Sequence, residues 1–90
     1  MILYNISNTE RFFERILTCQ GNVYSVDSGK QPQDLKRTAE YLLSSGMARH
    51  MDGIDRINVR VEKPTDVASI MRFVAEMNLD RRMRAASGIA

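Results

Sequence analysis

Apolar and polar residues alternate one by one in parts of the chain, and this period of two predicts strands. The clearest case is residues 57–61, where apolar side chains alternate with charged and amide ones, as in a strand with one face in water. Residues 1–6 and 23–26 form two shorter strands, the first with Ile2, Tyr4 and Ile6 on one side. For residues 31–33 the sequence allows either an edge strand or a loop, because Pro32 has no backbone N–H to donate to a neighbouring strand.

Apolar residues at helical spacing predict a first helix over about residues 9–19. Residues 7–10, at the start of this helix, have the Ser-x-x-Glu form of a capping box, which predicts Ser7 as the N-cap. Residues 20–22 are Gln-Gly-Asn, and we expect them to end the helix because Gly and Asn tolerate the left-handed backbone conformation.

Two further helices follow at the same spacing of apolar residues. Asp34 is a good N-cap for the second helix, which ends near Gly46. Residues 48–54 are polar and predict a loop. Residues 64–66 open the third helix, whose apolar stripe includes Met71 and Met77 and places both in the core.

The order β-α-β-(β)-α-β-α predicts an α/β (α+β) open-faced sandwich, in which a four-stranded, mostly antiparallel sheet carries three helices on one face. We expect one domain over residues 1–79. Residues 80–90 lack an apolar period and are expected to form a frayed or disordered basic C-terminal tail. The predicted core is Ile57, Val59 and Val61 with Phe12 or Phe13, Ile16, Leu42, Val67, Ile70 and Val74.

The composition is that of a folded protein, since 43% of the residues are hydrophobic and 27% are charged. The formal net charge of +2 falls to −1 for residues 1–80, because Arg81, Arg82 and Arg84 lie in the tail. Cys19 is the only cysteine and cannot form an internal disulfide, which indicates a reduced environment. No apolar run approaches the roughly 18 residues of a membrane span and residues 1–5 lack a basic leader region, so we expect a cytoplasmic protein without membrane contact.

Over about residues 1–78 this plan resembles HPr, the histidine-containing phosphocarrier of the bacterial sugar phosphotransferase system. The best local match runs from Val-Tyr-Ser-Val at 23–26 through Gly-Lys at 29–30 to Asp-Leu-Lys-Arg at 34–37, which enters a helix ending at Ser45-Gly46. HPr proteins place a Gly-Lys hairpin, Asn-Leu-Lys-Ser and a Ser-Leu-Gly helix end in this order. The resemblance implies an HPr-like fold.

The departures from HPr concern its phosphoryl acceptors. HPr carries its phosphoryl group on a histidine of a His-x-Arg-Pro motif between the first strand and the first helix. Residues 7–11 are Ser-Asn-Thr-Glu-Arg here, so the imidazole is missing, and HPr's regulatory serine is replaced by Arg37. The resemblance therefore implies the fold without the phosphocarrier activity.

The chain also resembles small bacterial proteins of similar length that share Asn5-Ile6, Phe12-Phe13 and the Cys-x-Gly-x-Val pattern at 19–23. Some of these carry a poly(A) polymerase label. Nucleotidyl transfer requires paired metal-binding carboxylates and a nucleotide pocket. A chain of 90 residues leaves little room for either, and we do not expect this activity.

Side chains that could take part in catalysis or metal binding are few and isolated. His50 is the only histidine and lies in a polar loop, where we expect it to be solvated; Asp52 or Asp55 could orient it as a base. The same two carboxylates lack a third ligand for a metal. Cys19 is expected to be a small buried hydrophobic residue. We therefore expect no enzyme activity, no cofactor, no metal and no small-molecule pocket.

The function favoured by the sequence is a non-catalytic protein-interaction or regulatory module of HPr-like fold, with a protein partner. In HPr the partner-binding face forms around the first and second helix starts, which by resemblance assigns it to Asn8, Thr9, Arg11, Phe12, Met47 and Met51. Two alternatives stay open: a phosphotransfer protein that uses His50 or a serine, and a nucleic-acid accessory protein that uses Arg81, Arg82 and Arg84. The tail has no interleaved aromatic residues, which argues against nucleic acid.

Overall fold

The computed structural model describes the backbone of residues 1–27 and 29–89 and the side chains of residues 1–27 and 29–79. In this part of the chain, four antiparallel strands form one sheet in the order β1-β4-β2-β3, and three α-helices cover one face. The elements are β1 (Ile2–Ile6), α1 (Thr9–Thr18), β2 (Val23–Ser25), β3 (Gln33–Asp34), α2 (Leu35–Ser44), a 3₁₀ helix (Met47–His50), β4 (Ile54–Val61) and α3 (Pro64–Ile89). The predicted fold class is confirmed.

The segment whose conformation the sequence leaves open becomes the short edge strand β3, which starts directly after Pro32. Its two residues pair with Tyr24 and Ser25 of β2. The central strands are β4 and β2, and β1 forms the other edge. No helix in the described part of the chain is both long and apolar enough to cross a membrane.

The prediction that Ile2, Tyr4 and Ile6 share one side of β1 is wrong. Leu3 and Ile6 are buried, whereas Ile2 and Tyr4 are 42% and 55% exposed. The cause is Asn5, whose φ of 56° lies in the left-handed region and interrupts the alternation of the strand. Asn tolerates this conformation better than other non-glycine residues.

The predicted bounds of α1 are right to within one residue, but the predicted capping at both ends needs correction. The N-cap is Asn8 instead of Ser7, and its side-chain oxygen accepts a hydrogen bond from the Arg11 backbone N–H over 3.1 Å. At the other end, Cys19 is extended (φ −62°, ψ 141°), and Gly21 has no positive φ. A left-handed residue therefore does not end this helix.

The core joins the inner face of the sheet to all three α-helices. Of the predicted core residues, Phe12, Phe13, Ile16, Val59 and Ile70 are buried, and Ile57, Val61, Leu42 and Val74 pack against them partly buried. Val67 is half-buried and lies outside this cluster. Leu35 and Ala39, which belong to the apolar spacing that predicted α2, are buried as well, whereas the buried Leu3, Val23, Ala48 and Phe73 were absent from the predicted core.

Helix α3 differs from its prediction in two respects. Met77 is buried as expected, but Met71 is 54% exposed and Phe73 takes the inward position. The helical backbone also continues to Ile89, beyond the end of the apolar stripe. The side chains of residues 80–90 lie outside the described part of the structure, so the tail remains a prediction.

Candidate functional site

The start of α1 and the 3₁₀ helix (Met47–His50) are held together at a buried contact. The Thr9 hydroxyl donates a hydrogen bond to the Ala48 carbonyl oxygen over 2.6 Å, and both residues are buried. Because a buried, satisfied hydrogen bond is costly to break, the contact fixes the two backbone segments relative to each other.

Beside this contact the 3₁₀ helix presents exposed methionines. Met47 begins it and is 50% exposed, and Met51 directly follows it and is 38% exposed. Gly46 precedes the helix with a φ of 79°, a left-handed conformation that redirects the chain out of α2. The turn thus places Met47 on the surface while Ala48 reaches the core.

An open concavity of about 270 Å³ lies between the two segments. Its lining comes from the connection into α1 and from the 3₁₀ region: Ser7, Asn8, Thr9, Glu10, Ala48, Arg49 and Met51. We call the exposed residues Asn8, Met47, Arg49 and Met51 the methionine surface.

An ion pair beside the methionine surface connects the start of α1 to the 3₁₀ helix. Arg49 Nε lies 3.3 Å from Glu10 Oε2, and the Arg49 side chain is 75% exposed. An ion pair this exposed contributes little to stability. Asn8 uses its side-chain oxygen for the cap of α1, so the first turn of the helix already has an acceptor from the chain itself.

The structure separates the residues that the resemblance assigned to a partner-binding face. Asn8, Thr9 and Met51 line the same concavity, and Met47 belongs to the same 3₁₀ segment. Arg11 is exposed in another groove, which it lines with Glu14, Arg15, Thr18 and Phe73. Phe12 is fully buried, with its ring centroid 5.3 Å from that of Phe13, so it belongs to the core and not to the surface.

Sequence reasoning missed Glu10, Ala48 and Arg49 as parts of this site. Glu10 and Arg49 are 39 positions apart, and Thr9 and Ala48 are equally distant. Contacts between such distant positions leave no periodic signal.

The other candidate residues lie apart from the methionine surface or outside the described side chains. Cys19 is buried as expected, and desolvation followed by the nearby Asp66 carboxylate raises the pKa of its thiol, which therefore stays protonated. His50 is exposed at the end of the 3₁₀ helix. Among residues 1–27 and 29–79, no three His, Cys, Asp or Glu side chains could hold one metal ion. Arg81, Arg82 and Arg84 lie outside the described side chains.

Comparison of the chain with family models, curated proteins and solved structures finds no match. The residues themselves are therefore the basis for a functional argument. At the methionine surface they offer adaptable apolar side chains, the exposed Arg49 guanidinium paired with Glu10, and a backbone anchored in the core.

Proposed function

We propose that this chain is a small, non-catalytic protein-interaction or regulatory module of HPr-like fold that binds a protein partner through the methionine surface. The observation that carries the proposal is the exposure of Met47 and Met51 on a backbone fixed by the buried bond between Thr9 and Ala48. Thioether side chains adapt to different apolar surfaces. An anchored backbone lowers the entropy lost when a partner binds.

The HPr resemblance supports the same face. The four-stranded antiparallel sheet with helices on one side is the layout that the resemblance implies. The methionine surface lies at the start of α1, as in the partner-binding face of HPr, and beyond the end of α2 instead of at its start. Leu35, at the start of α2, is buried in the core.

The chemistry at the start of α1 favours binding over phosphotransfer. Residues 7–11 contain no imidazole, and the Asn8 side chain already caps the helix. Ser and Thr hydroxyls would give a stable phosphate ester instead of a transferable phosphoryl group. Phosphotransfer from His50 is the alternative that the experiments must distinguish.

The partner can be captured by photo-crosslinking in cells that produce the chain. A photoreactive amino acid replaces Met47 or Met51 in turn, and Met71 of α3, which is 54% exposed, provides the matched control position. We expect the same protein to be crosslinked from positions 47 and 51 and not from 71. Equal capture from all three positions would contradict the proposal.

Binding to the captured protein is then measured with purified components. The variants Met47→Asp and Met51→Asp should weaken binding at least about tenfold, because a charge replaces an apolar contact. Met47→Leu should bind like the unmodified chain, and Met71→Asp should have no effect. Since both methionines are exposed, the melting temperatures should stay close to that of the unmodified chain.

A further inference from the structure

The face of the sheet turned away from the helices brings together two pairs of tyrosine and arginine. Tyr4 of β1 is the register partner of Arg56 on β4, and Tyr24 of β2 is the register partner of Arg60. Side chains alternate between the two faces of a strand, and Val59 of β4 points into the core. Arg56 and Arg60 therefore point to the other face, and the tyrosines in register with them share it. No local sequence pattern indicates this cluster, since its members come from three separate strands.

The two pairs present aromatic and cationic groups in different ways. Tyr4 is 55% exposed. The guanidinium carbon of Arg60 lies 4.8 Å from the ring centroid of Tyr24, a cation–π contact that places the guanidinium group over the ring. Four residues along β4 and two strand spacings separate the tyrosines, which corresponds to about 16 Å.

The two arginines of this face lie on the central strand β4, between β1 and β2. Arg56 and Arg60 are both exposed, and the acidic residues of the same segment, Asp55 and Glu62, lie at the two ends. A third carboxylate, Asp34 of β3, is the register partner of Tyr24, and its side chain caps α2 by accepting from the Arg37 backbone N–H. The Glu62 carboxylate accepts a hydrogen bond from the Asn22 side-chain amide over 3.2 Å. The resulting cationic band lies between two aromatic rings on an open sheet.

We propose that this face binds single-stranded nucleic acid. Bases stack on tyrosine rings and on guanidinium planes, and arginine N–H groups donate to phosphates. Tyr4 would stack one base, the Arg60–Tyr24 pair would stack another, and Arg56 and Arg60 would contact the phosphates between them. The site lies on a different face from the methionine surface and does not depend on that surface having a partner.

This site differs from the arginine tail in the feature that argued against nucleic acid there. Arg81, Arg82 and Arg84 have no interleaved aromatic residues. On the sheet, in contrast, each arginine of β4 lies beside a tyrosine, Tyr4 or Tyr24. To separate the two sources of charge, the measurements use a chain with all three tail arginines changed to glutamine. Binding that disappears in this chain would overturn the proposal in favour of the tail.

The affinity for a labelled single-stranded oligonucleotide of about ten nucleotides, a length within the site size of small single-strand-binding domains, is measured by fluorescence anisotropy over a range of salt concentrations. Two phosphate contacts predict a slope of log K against log salt of about −1.4. Arg56→Gln should reduce that slope by about 0.7. A slope unchanged by Arg56→Gln would overturn the proposed phosphate contact.

The stacking contacts have a separate signature. Tyr4→Ala should lower the affinity about fivefold or more without changing the salt slope, and Tyr4→Phe should retain the affinity, because stacking needs the ring and not the hydroxyl. Tyr41→Ala on α2 and Arg72→Gln on α3 remove equally exposed residue types elsewhere and should leave binding intact. An equal affinity for a duplex of the same length, or self-association that Tyr4→Ala abolishes without any oligonucleotide binding, would overturn the proposal.

Discussion

The Asp66 carboxylate accepts a hydrogen bond from the Gly21 backbone N–H over 2.8 Å, and this contact joins the first turn of α3 to the chain that leaves α1. The same carboxylate accepts a second bond from the Gln20 N–H over 2.9 Å. The Lys36 ammonium donates to the Cys19 carbonyl oxygen immediately before. The turn after α1 is thus fixed by side chains from both other α-helices.

These bonds make the stability of the fold depend on pH through Asp66. The bonds from Gly21 and Gln20, which outweigh desolvation, lower the pKa of this carboxyl group below its ordinary value of about 3.9. A lowered pKa in the folded state contributes stability above the ordinary pKa and loses it as the pH falls through the lowered value. Asp66→Asn should therefore be less stable than the unmodified chain at pH 7, and the difference should shrink below about pH 4.

Urea unfolding followed by circular dichroism between pH 7 and pH 2 measures this difference. Asp52→Asn, at an exposed loop position, is the matched removal of one carboxylate. A difference between Asp66→Asn and the unmodified chain that stays constant over the whole range would show that charge on Asp66 plays no part.

Gly21 is required for close packing and not for a left-handed conformation. A Cβ atom at this position would lie 2.7 Å from Lys63 Cγ and 3.2 Å from Lys63 Cδ. We expect Gly21→Ala to lower the free energy of unfolding by about 1–2 kcal/mol, the range of modest overpacking. Lys63→Ala removes the clashing atoms, so the double variant should lose less stability than the sum of the two single ones. Additive effects in this double-mutant cycle would place the strain elsewhere.

Val59 is 1% exposed on the central strand β4, between β1 and β2. Val59→Asp should destabilise the domain by roughly 3–5 kcal/mol, the scale of an unpaired buried charge. The neighbouring Asn58→Asp places the same charge on the other face and should cost much less. If Val59→Asp melted at the temperature of the unmodified chain and Asn58→Asp melted lower, β4 would face the core with its other side.

Local patterns predicted most of the fold because each element carries its own signal. Asp34 caps α2 as expected, accepting from the Arg37 N–H over 3.2 Å, and the strand at 57–61 was found as part of β4. The orientation of β1 failed because one left-handed residue, Asn5, reversed the side chains beyond it. The methionine surface depends on the distant contact of Thr9 with Ala48, which no local period records.

No phosphoryl group should be accepted by residues 7–11, since this segment contains no imidazole. Mass spectrometry after incubation with the general phosphotransferase enzyme and its phosphodonor should show an unmodified chain, with an HPr protein as the positive control. An acid-labile phosphate on His50, absent from a His50→Gln variant, would support the phosphotransfer alternative.

Deleting residues 80–90 tests whether the end of the chain contributes to the domain. Helix α3 continues to Ile89, but an isolated helical extension adds little stability without packing. The free energy of unfolding should stay within about 0.5 kcal/mol of the full chain. A loss above about 2 kcal/mol would show that tail side chains pack on the core.

The left-handed Asn5 also affects how the sheet ends. Edge strands offer backbone groups to other chains, and many are protected by lysine, proline or a bend. β1 forms an edge of the sheet and contains neither lysine nor proline. The left-handed backbone of Asn5 interrupts the regular extended conformation of this edge, although Ile6 still pairs with Ile54, and an irregular edge is a poorer template for a strand of a neighbouring molecule. We therefore expect Asn5, the residue that reverses the side chain of Ile6, also to disfavour edge-to-edge pairing of β1 with a second molecule.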